Sequence, residues 1–227
     1  MRAQGKREPV ITIDGPVGAG KSTVARALAD RLGYRFLDTG AMYRAVAWSV
    51  VEAGVDPVDE AALRRHLDAL DLDVRDDRVY VDNRDVSGQI RTREISALSS
   101  LVSTLAPVRA KVTPLQRRLA AGGGVVLEGR DTGTVVCPDA EIKFYLDASL
   151  DERTRRRRAD LLARGVVLDF EVVYGDISAR DRQDTTRSLA PLRPAPDAVR
   201  IDSDGLSVSE VVERMLLEVE RRCCTRS

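Results

Sequence analysis

Apolar and polar positions along the chain alternate between two textures. Short β-branched runs, apolar almost throughout, read as parallel strands covered on both faces. They are Val10–Ile13, Tyr34–Leu37, Val125–Leu127, Ile142–Leu146 and Val199–Ile201. Between them, apolar residues recur every three or four positions, the spacing of one helix face. The first such helix carries Val24, Leu28 and Leu32 and ends at Gly33, a C-cap residue. The next continues through Val46, Ala47, Val50 and Val51, with Thr39 as its expected N-cap. The last has a stripe of Val208, Val211, Val212, Met215, Leu216 and Val219 behind the capping box Ser207-Val-Ser-Glu210. Five strands alternating with helices predict an α/β fold, a three-layer α/β/α sandwich around a five-stranded parallel sheet.

From Val55 to about Arg93 the texture changes. A helical piece from Glu60 to Leu70 precedes two short alternating runs, Leu72–Val74 and Val79–Val81, on either side of Asp76-Asp77. That spacing predicts a small antiparallel hairpin, closed off by Ser87-Gly88. A hairpin does not belong inside a parallel core, so this region reads as an insertion. Helical pattern resumes from Thr92 to about Leu105, is expected to break at Pro107, and continues from Arg109 to Ala121.

Chemistry enters at the turn after the first strand. Gly15-Pro-Val-Gly-Ala-Gly-Lys-Ser22 fills the phosphate-loop pattern G-x-x-x-x-G-K-[ST]. Glycines let successive backbone N–H groups converge on a phosphate, and the helix start behind them adds donors and partial positive charge. Lys21 is positioned to reach the β- and γ-phosphates, and the Ser22 hydroxyl to hold Mg²⁺. Ligands of a parallel sheet collect at the carboxyl ends of its strands. Asp14-Gly15, Asp38-Thr39 and Glu128-Gly-Arg-Asp131 all fall there.

Composition narrows the classes of partner. Lys plus Arg (36) equals Asp plus Glu (36) over 227 residues, so no global field draws the chain to nucleic acid or membrane. No run approaches the ~20 apolar residues of a membrane span. Met1–Glu8 is polar and basic, read as a frayed tail rather than a secretory leader. Cys137, Cys223 and Cys224 suggest no disulfide framework and no metal pattern, which fits reduced thiols in a cytoplasmic protein. The lone histidine, His66, is expected at the surface of the insertion. Locally the charge is uneven. Arginines crowd Arg153–Arg164 and again Arg180–Arg193. Arg153, Arg155, Arg156, Arg157 and Arg158 share a helix entered through Ser149 and Asp151 and are expected to cap a bound triphosphate. Arg180, Asp184 and Arg187, spaced i, i+4, i+7, fall on one helix face, with Asp181 and Arg182 meeting ordinary helix-surface needs.

Together these segments resemble bacterial cytidylate kinases. The resemblance rests on Gly15–Thr23, Leu37-Asp-Thr-Gly-Ala-Met-Tyr-Arg44, Asp85-Val-Ser-Gly-Gln-Ile-Arg-Thr92, Gly129-Arg-Asp-Thr-Gly-Thr-Val-Val136, and Arg180–Arg187 with Ala190-Pro-Leu192. It runs from about Val10 to the final helix. It implies one kinase domain over 1–227: a core at about 9–38, 122–152 and 176–222, a nucleoside monophosphate-binding insertion at about 39–121, and a short helical lid at about 153–175. The implied reaction is ATP plus CMP or dCMP giving ADP plus CDP or dCDP, with Mg²⁺, in pyrimidine nucleotide metabolism. Separately, the sequence shows no exposed heptad or long apolar edge, so a monomer is expected.

The resemblance also implies residue roles. Gly15, Pro16, Val17, Gly18, Ala19, Gly20, Lys21, Ser22 and Thr23 would hold ATP. Arg44, Arg130 and Arg187 would clamp the CMP phosphate, with Thr39 donating a further hydrogen bond. Forked guanidinium groups suit that dianion, since each binds two oxygens. Ser100, Arg109 and Asp131 would read the cytosine edge. An acidic acceptor for its amino group would meet the O4 of uracil lone pair to lone pair. Arg180 and Asp184 would hold the sugar hydroxyls and Tyr43 would pack by the ribose. Arg157 is the lid arginine nominated to touch ATP phosphates. Three positions depart from the family pattern: Thr132 where Met is expected, Cys137 where Phe is common, and Thr39 where some relatives carry Ser. The competing readings are a kinase for another small acceptor, such as UMP or shikimate, and a phosphate-loop switch or RNA-binding ATPase.

Overall fold

The computed structural model describes residues 7–163 and 165–224, and of Cys224 only the backbone. Residues 1–6 of the expected tail, and Arg164 of the first arginine cluster, therefore lie outside the described residues. The order of elements is β1 (Val10–Asp14), α1 (Lys21–Leu32), β2 (Arg35–Asp38), α2 (Thr39–Glu52), α3 (Glu60–Ala69), β3 (Leu72–Arg75), β4 (Arg78–Val81) and β5 (Arg84–Asp85). A 3₁₀ turn (Gln89–Arg91) leads to α4 (Arg93–Val102), α5 (Ala106–Ala120) and β6 (Val125–Gly129). A π-turn (Thr132–Val136) is followed by β7 (Ile142–Asp147), α6 (Leu150–Ala163), α7 (Phe170–Thr186), β8 (Val199–Asp202) and α8 (Val208–Cys224).

The five strands expected from the apolar runs form one sheet in the order β2-β6-β1-β7-β8. β1 and β6 are buried at every position, as strands covered on both faces must be. Register decides what chemistry meets at the sheet's edge. β1 pairs in parallel with β6 and β7 so that Asp14 lies opposite Gly129 on one side and Tyr145 on the other. The end of the strand before the phosphate loop therefore sits beside the start of Gly129-Arg130-Asp131.

The chain divides into two compact units: the described residues up to Phe36 with those from Gly123 onward, and Leu37–Gly122. In the first, Ile11, Ile13, Val126, Phe144 and Leu146 of the sheet pack with Leu28 of α1 and Val212 and Met215 of α8 in one buried cluster. Burying a side chain of that size contributes about 1.5–3 kcal/mol. Gly33 ends α1 in the left-handed conformation, and Ser207 and Glu210 cap α8 reciprocally, both as expected. Val208, placed in the α8 stripe, is instead exposed.

In the second unit α2 is apolar nearly all round, and it is buried from Thr39 through Val50 apart from Gly40 and Arg44. It packs against α4, α5 and β4. The hairpin of β3 and β4 turns on Asp76 and Asp77, both at positive φ, and a second turn at Asp82 and Asn83 adds β5, a strand too short for its pattern to show.

Three local expectations are corrected here. The N-cap of α2 is Asp38, whose Oδ1 accepts from the Ala41 N–H at 2.9 Å, while Thr39 is already helical. Pro107 does not break a helix. It sits in the first turn of α5, where its missing N–H has no helical partner to lose. His66 is half-buried, with its Nε2 3.0 Å from Ser49 Oγ.

Candidate active site

The phosphate loop runs from the end of β1 to the first turn of α1. Gly15 is required sterically, since a Cβ there would lie 2.0 Å from the Leu146 carbonyl oxygen of β7. Gly20 caps α1 at φ 86°, a left-handed conformation that glycine adopts without strain. Lys21, the first residue of α1, is 5 % exposed, and its Nζ donates to the Pro16 carbonyl across the loop at 2.6 Å. Burial, and then the nearby Arg130 guanidinium, lower its pKa to about 7 against the opposing pull of Glu128, Asp14 and Asp184. Burial outweighs the three carboxylates, so a further anion at the loop would favour the charged lysine.

Two carboxylates beneath the loop were placed by the sequence at ligand-collecting strand ends but given no role. The Ser22 hydroxyl lies 2.7 and 2.9 Å from the two oxygens of Glu128, which is buried at the end of β6. Asp14 accepts from the Thr132 N–H, the Thr132 hydroxyl and the Gly133 N–H at 2.8–2.9 Å, which ties the π-turn to β1. Burial pushes the Asp14 carboxyl up, and these hydrogen bonds pull it back. The available signal was an acid ending an otherwise apolar strand, which happens in both Val10–Asp14 and Val125–Glu128. The donor set of Ser22 and Glu128 is all oxygen and suits a hard divalent cation. No cluster of three or more metal-ligating side chains occurs among the described residues.

On the same unit, four of the expected substrate residues form one network. Arg130 Nε donates to Asp184 Oδ2 at 2.9 Å. Arg187 Nη2 donates to Asp131 Oδ1 at 3.3 Å, and its Nη1 lies 3.8 Å from Asp184 Oδ1. Arg187 caps the end of α7 and is further held by the Ala190 carbonyl at 2.7 Å, with Ala190 at φ 51°. Arg180 stands one turn before Asp184 on α7 and is half-buried. Asp181, assigned from the sequence to the helix surface, instead pairs with Arg153.

The remaining expected residues belong to the other unit. Arg44 Nη2 donates to Asp38 Oδ2 at 2.6 Å, so the residue that caps α2 also orients Arg44. The Arg109 guanidinium lies over the Tyr43 ring at 5.7 Å and donates to the Ser103 carbonyl at 3.3 Å. Ser103 in turn donates to the carbonyl of Ser100, which brings α4 to Arg109. Thr39 is buried, and its carbonyl accepts from Gln116 at 3.5 Å.

The arginines of α6 separate into inner and outer members. Arg153 is buried and donates to the Val17 carbonyl at 3.1 Å, and Arg156 reaches the Ala19 carbonyl at 3.5 Å and Ser203 at 2.7–3.0 Å. Arg157 is exposed and is engaged by no ion pair or hydrogen bond among the described residues.

Known proteins are similar in sequence over nearly the whole chain. The family model for cytidylate kinase matches residues 11–221. A cytidylate kinase of Pelotomaculum thermopropionicum is 49 % identical over 216 residues, 93 % of this chain and 96 % of its own. One of Geobacter sulfurreducens is 48 % identical over 226 residues, 98 % of this chain and 97 % of its own. Among solved structures, a shikimate kinase of Bacteroides thetaiotaomicron matches with a TM-score of 0.50 at 15 % identity, over 93 % of this chain and 98 % of that one, a likeness of fold alone. With a complete phosphate loop, a buried loop lysine and this identity over this length, the chain belongs to the cytidylate kinase family.

Proposed function

We propose that the chain transfers the γ-phosphate of ATP to CMP and dCMP, giving CDP and dCDP. Family membership supports CMP as acceptor. The observation that carries the reading is the buried loop lysine: Lys21 opens α1 with its Nζ on the Pro16 carbonyl at 2.6 Å, inside a complete phosphate loop. Burial and the nearby Arg130 cation both disfavour its charge, and a bound polyanion offsets both.

Phosphoryl transfer passes through a loose transition state with charge on the equatorial oxygens, so catalysis is mainly positioning and charge stabilisation. A CMP phosphate oxygen attacks the γ-phosphorus in line. It needs no general base, because that phosphate is already anionic at neutral pH. Lys21, Arg130 and Arg187 neutralise charge as it develops. Arg44, Arg130 and Arg187 bind the acceptor phosphate, each now held by a carboxylate that keeps its fork in one orientation: Asp38, Asp184 and Asp131 respectively. Thr39 donates to the same phosphate. Ser100, Arg109 and Asp131 read cytosine, Arg180 and Asp184 hold the sugar, and Tyr43 packs by the ribose. Residues 15–23 hold ATP, with Arg157 reaching its phosphates from the lid. Ser22, backed by Glu128, would hold Mg²⁺, which when bound offsets charge on the β- and γ-phosphates.

In this reading, core (9–38, 122–152, 176–222), insertion (39–121) and lid (153–175) form one kinase domain that acts as a cytoplasmic monomer. No helix among the described residues is long and apolar enough to cross a membrane.

The test is an ADP-release assay with ATP and Mg²⁺, offering CMP, dCMP, UMP, AMP and shikimate separately. Fast turnover with CMP and dCMP, weak with UMP and absent with the others, is expected, together with its loss in Lys21→Ala. Turnover led by another acceptor would remove Ser100, Arg109 and Asp131 from their roles.

A further inference from the structure

The tip of the phosphate loop is bound by the protein itself. The Val17 N–H donates to Asp181 Oδ1 at 3.3 Å, and the Val17 carbonyl accepts from Arg153 Nη1 at 3.1 Å. Arg153 and Asp181 are themselves ion-paired, and the Arg153 Nε is fixed by the Ala148 carbonyl at 2.9 Å. Both polar groups of one loop residue are thus taken up by a single ion pair, supplied by the first turn of α6 and by α7. The approach is close. A Cβ on Gly18 would lie 3.1 Å from Arg153 Cβ. Arg153 and Asp181 side chains are only 8 % and 19 % exposed, so the pair is partly shielded from solvent screening.

We propose that Arg153 and Asp181 are positioning residues that latch the phosphate loop in a resting form, with the Asp181 carboxylate occupying a loop N–H that the donor triphosphate competes for. A phosphate loop works by aiming N–H groups at an anion. An N–H left without an acceptor there carries a desolvation cost. The protein's own carboxylate meets that need at Val17. An arriving triphosphate brings several negative charges next to Asp181, and the carboxylate is repelled. Arg153 then loses its partner beside a new and stronger anion, and its guanidinium transfers to the phosphates. Because α6 and α7 carry the two latch residues, loop occupancy becomes a change in how these helices are held. The latch rests on the kinase reading for its ligand, but its test does not depend on the acceptor.

The test uses Asp181→Asn, which keeps an oxygen for the Val17 N–H and removes the charge. Binding of ATP without acceptor is measured by titration calorimetry, beside KM for ATP and for CMP and the thermal midpoint. Removing one like charge from a partly shielded site is expected to tighten ATP by about five-fold. KM for CMP should not move, and Asp181→Glu should restore the wild-type value. Arg153→Lys, which keeps the charge but loses the fork, is expected to weaken ATP binding. Unchanged or weaker ATP binding by Asp181→Asn, with a lowered thermal midpoint, would overturn the latch and leave the pair a structural brace. If wild type shows no CMP-dependent turnover yet Asp181→Asn still tightens ATP, the kinase reading fails and the latch stands.

Discussion

The hydroxyl of Ser22 rests against both carboxylate oxygens of Glu128, at 2.7 and 2.9 Å, although 106 residues separate them in sequence. The contact joins the first turn of α1 to the end of β6, two elements held together by the pairing of β1 with β6. A carboxylate in that position orients the hydroxyl and adds negative charge where a divalent cation would bind.

Replacing Glu128 by Gln should therefore lower turnover by about 10- to 100-fold and shift the Mg²⁺ activation curve to higher concentration. ATP-dependent turnover titrated with Mg²⁺ checks this. A lower rate with an unshifted Mg²⁺ midpoint would show that Glu128 only braces the loop.

Lys21 predicts a pH dependence of nucleotide binding. Its pKa in the free protein is about 7, and a bound triphosphate raises it by supplying opposite charge. Above pH 7 the free lysine is mostly neutral while the bound one is protonated, so binding takes up a proton. Affinity then falls as pH rises above 7, by up to about ten-fold per unit, and the lysine contributes no slope well below pH 7. Calorimetric titration of ATP at pH 8 in buffers of different ionisation enthalpy should show uptake approaching one proton. Identical heats in all buffers would sink the prediction.

Asp131 accepts from Arg187 at 3.3 Å, which orients the carboxylate proposed to read the base. Asp131→Asn supplies an N–H that can meet the O4 of uracil. The ratio of kcat/KM for CMP over UMP should fall by at least about ten-fold, measured with both acceptors in the same assay. An unchanged ratio would assign base reading elsewhere.

Thr132, where the resemblance leads to an expectation of Met, is 1 % exposed and its hydroxyl donates to Asp14 Oδ1 at 2.8 Å, so the threonine has a structural partner here. Thr132→Met removes a hydrogen bond to a buried carboxyl and adds volume to a filled site. Destabilisation of about 2–3 kcal/mol is expected, read by urea denaturation. A change under about 0.5 kcal/mol would mean that the site has room for the larger side chain.

Asp184 neutralises two arginines, accepting from Arg130 at 2.9 Å and lying 3.8 Å from Arg187. Asp184→Ala leaves both without it. Stability should fall by about 3 kcal/mol and KM for CMP should rise, the first by denaturation and the second by kinetics. Full stability with a raised KM would confine Asp184 to substrate contact.

The sequence alone determined the sheet strands, the phosphate loop and the helix faces, because each is a local pattern. A buried strand is a run of apolar residues, a helix face is a period, and the loop's glycines and lysine are fixed by their spacing. It also brought forward Asp184 and Arg187 by their helical spacing and Arg130 and Asp131 by their place at a strand end, while their individual roles came from resemblance. What it did not carry was partnership. Asp181 read as helix surface and Arg153 as one arginine of a triphosphate cap, and only the packing of α6 and α7 brings them to the two sides of Val17. Glu128 and Asp14 read as strand ends until the parallel register set them under the loop and the π-turn. Even the N-cap of α2 moved from Thr39 to Asp38, since either side chain could cap a helix and backbone geometry chose Asp38. Charges and hydroxyls act through space, at distances that the sheet register and helix packing set. That is why the chemistry of single residues was legible in the sequence and their pairing was not.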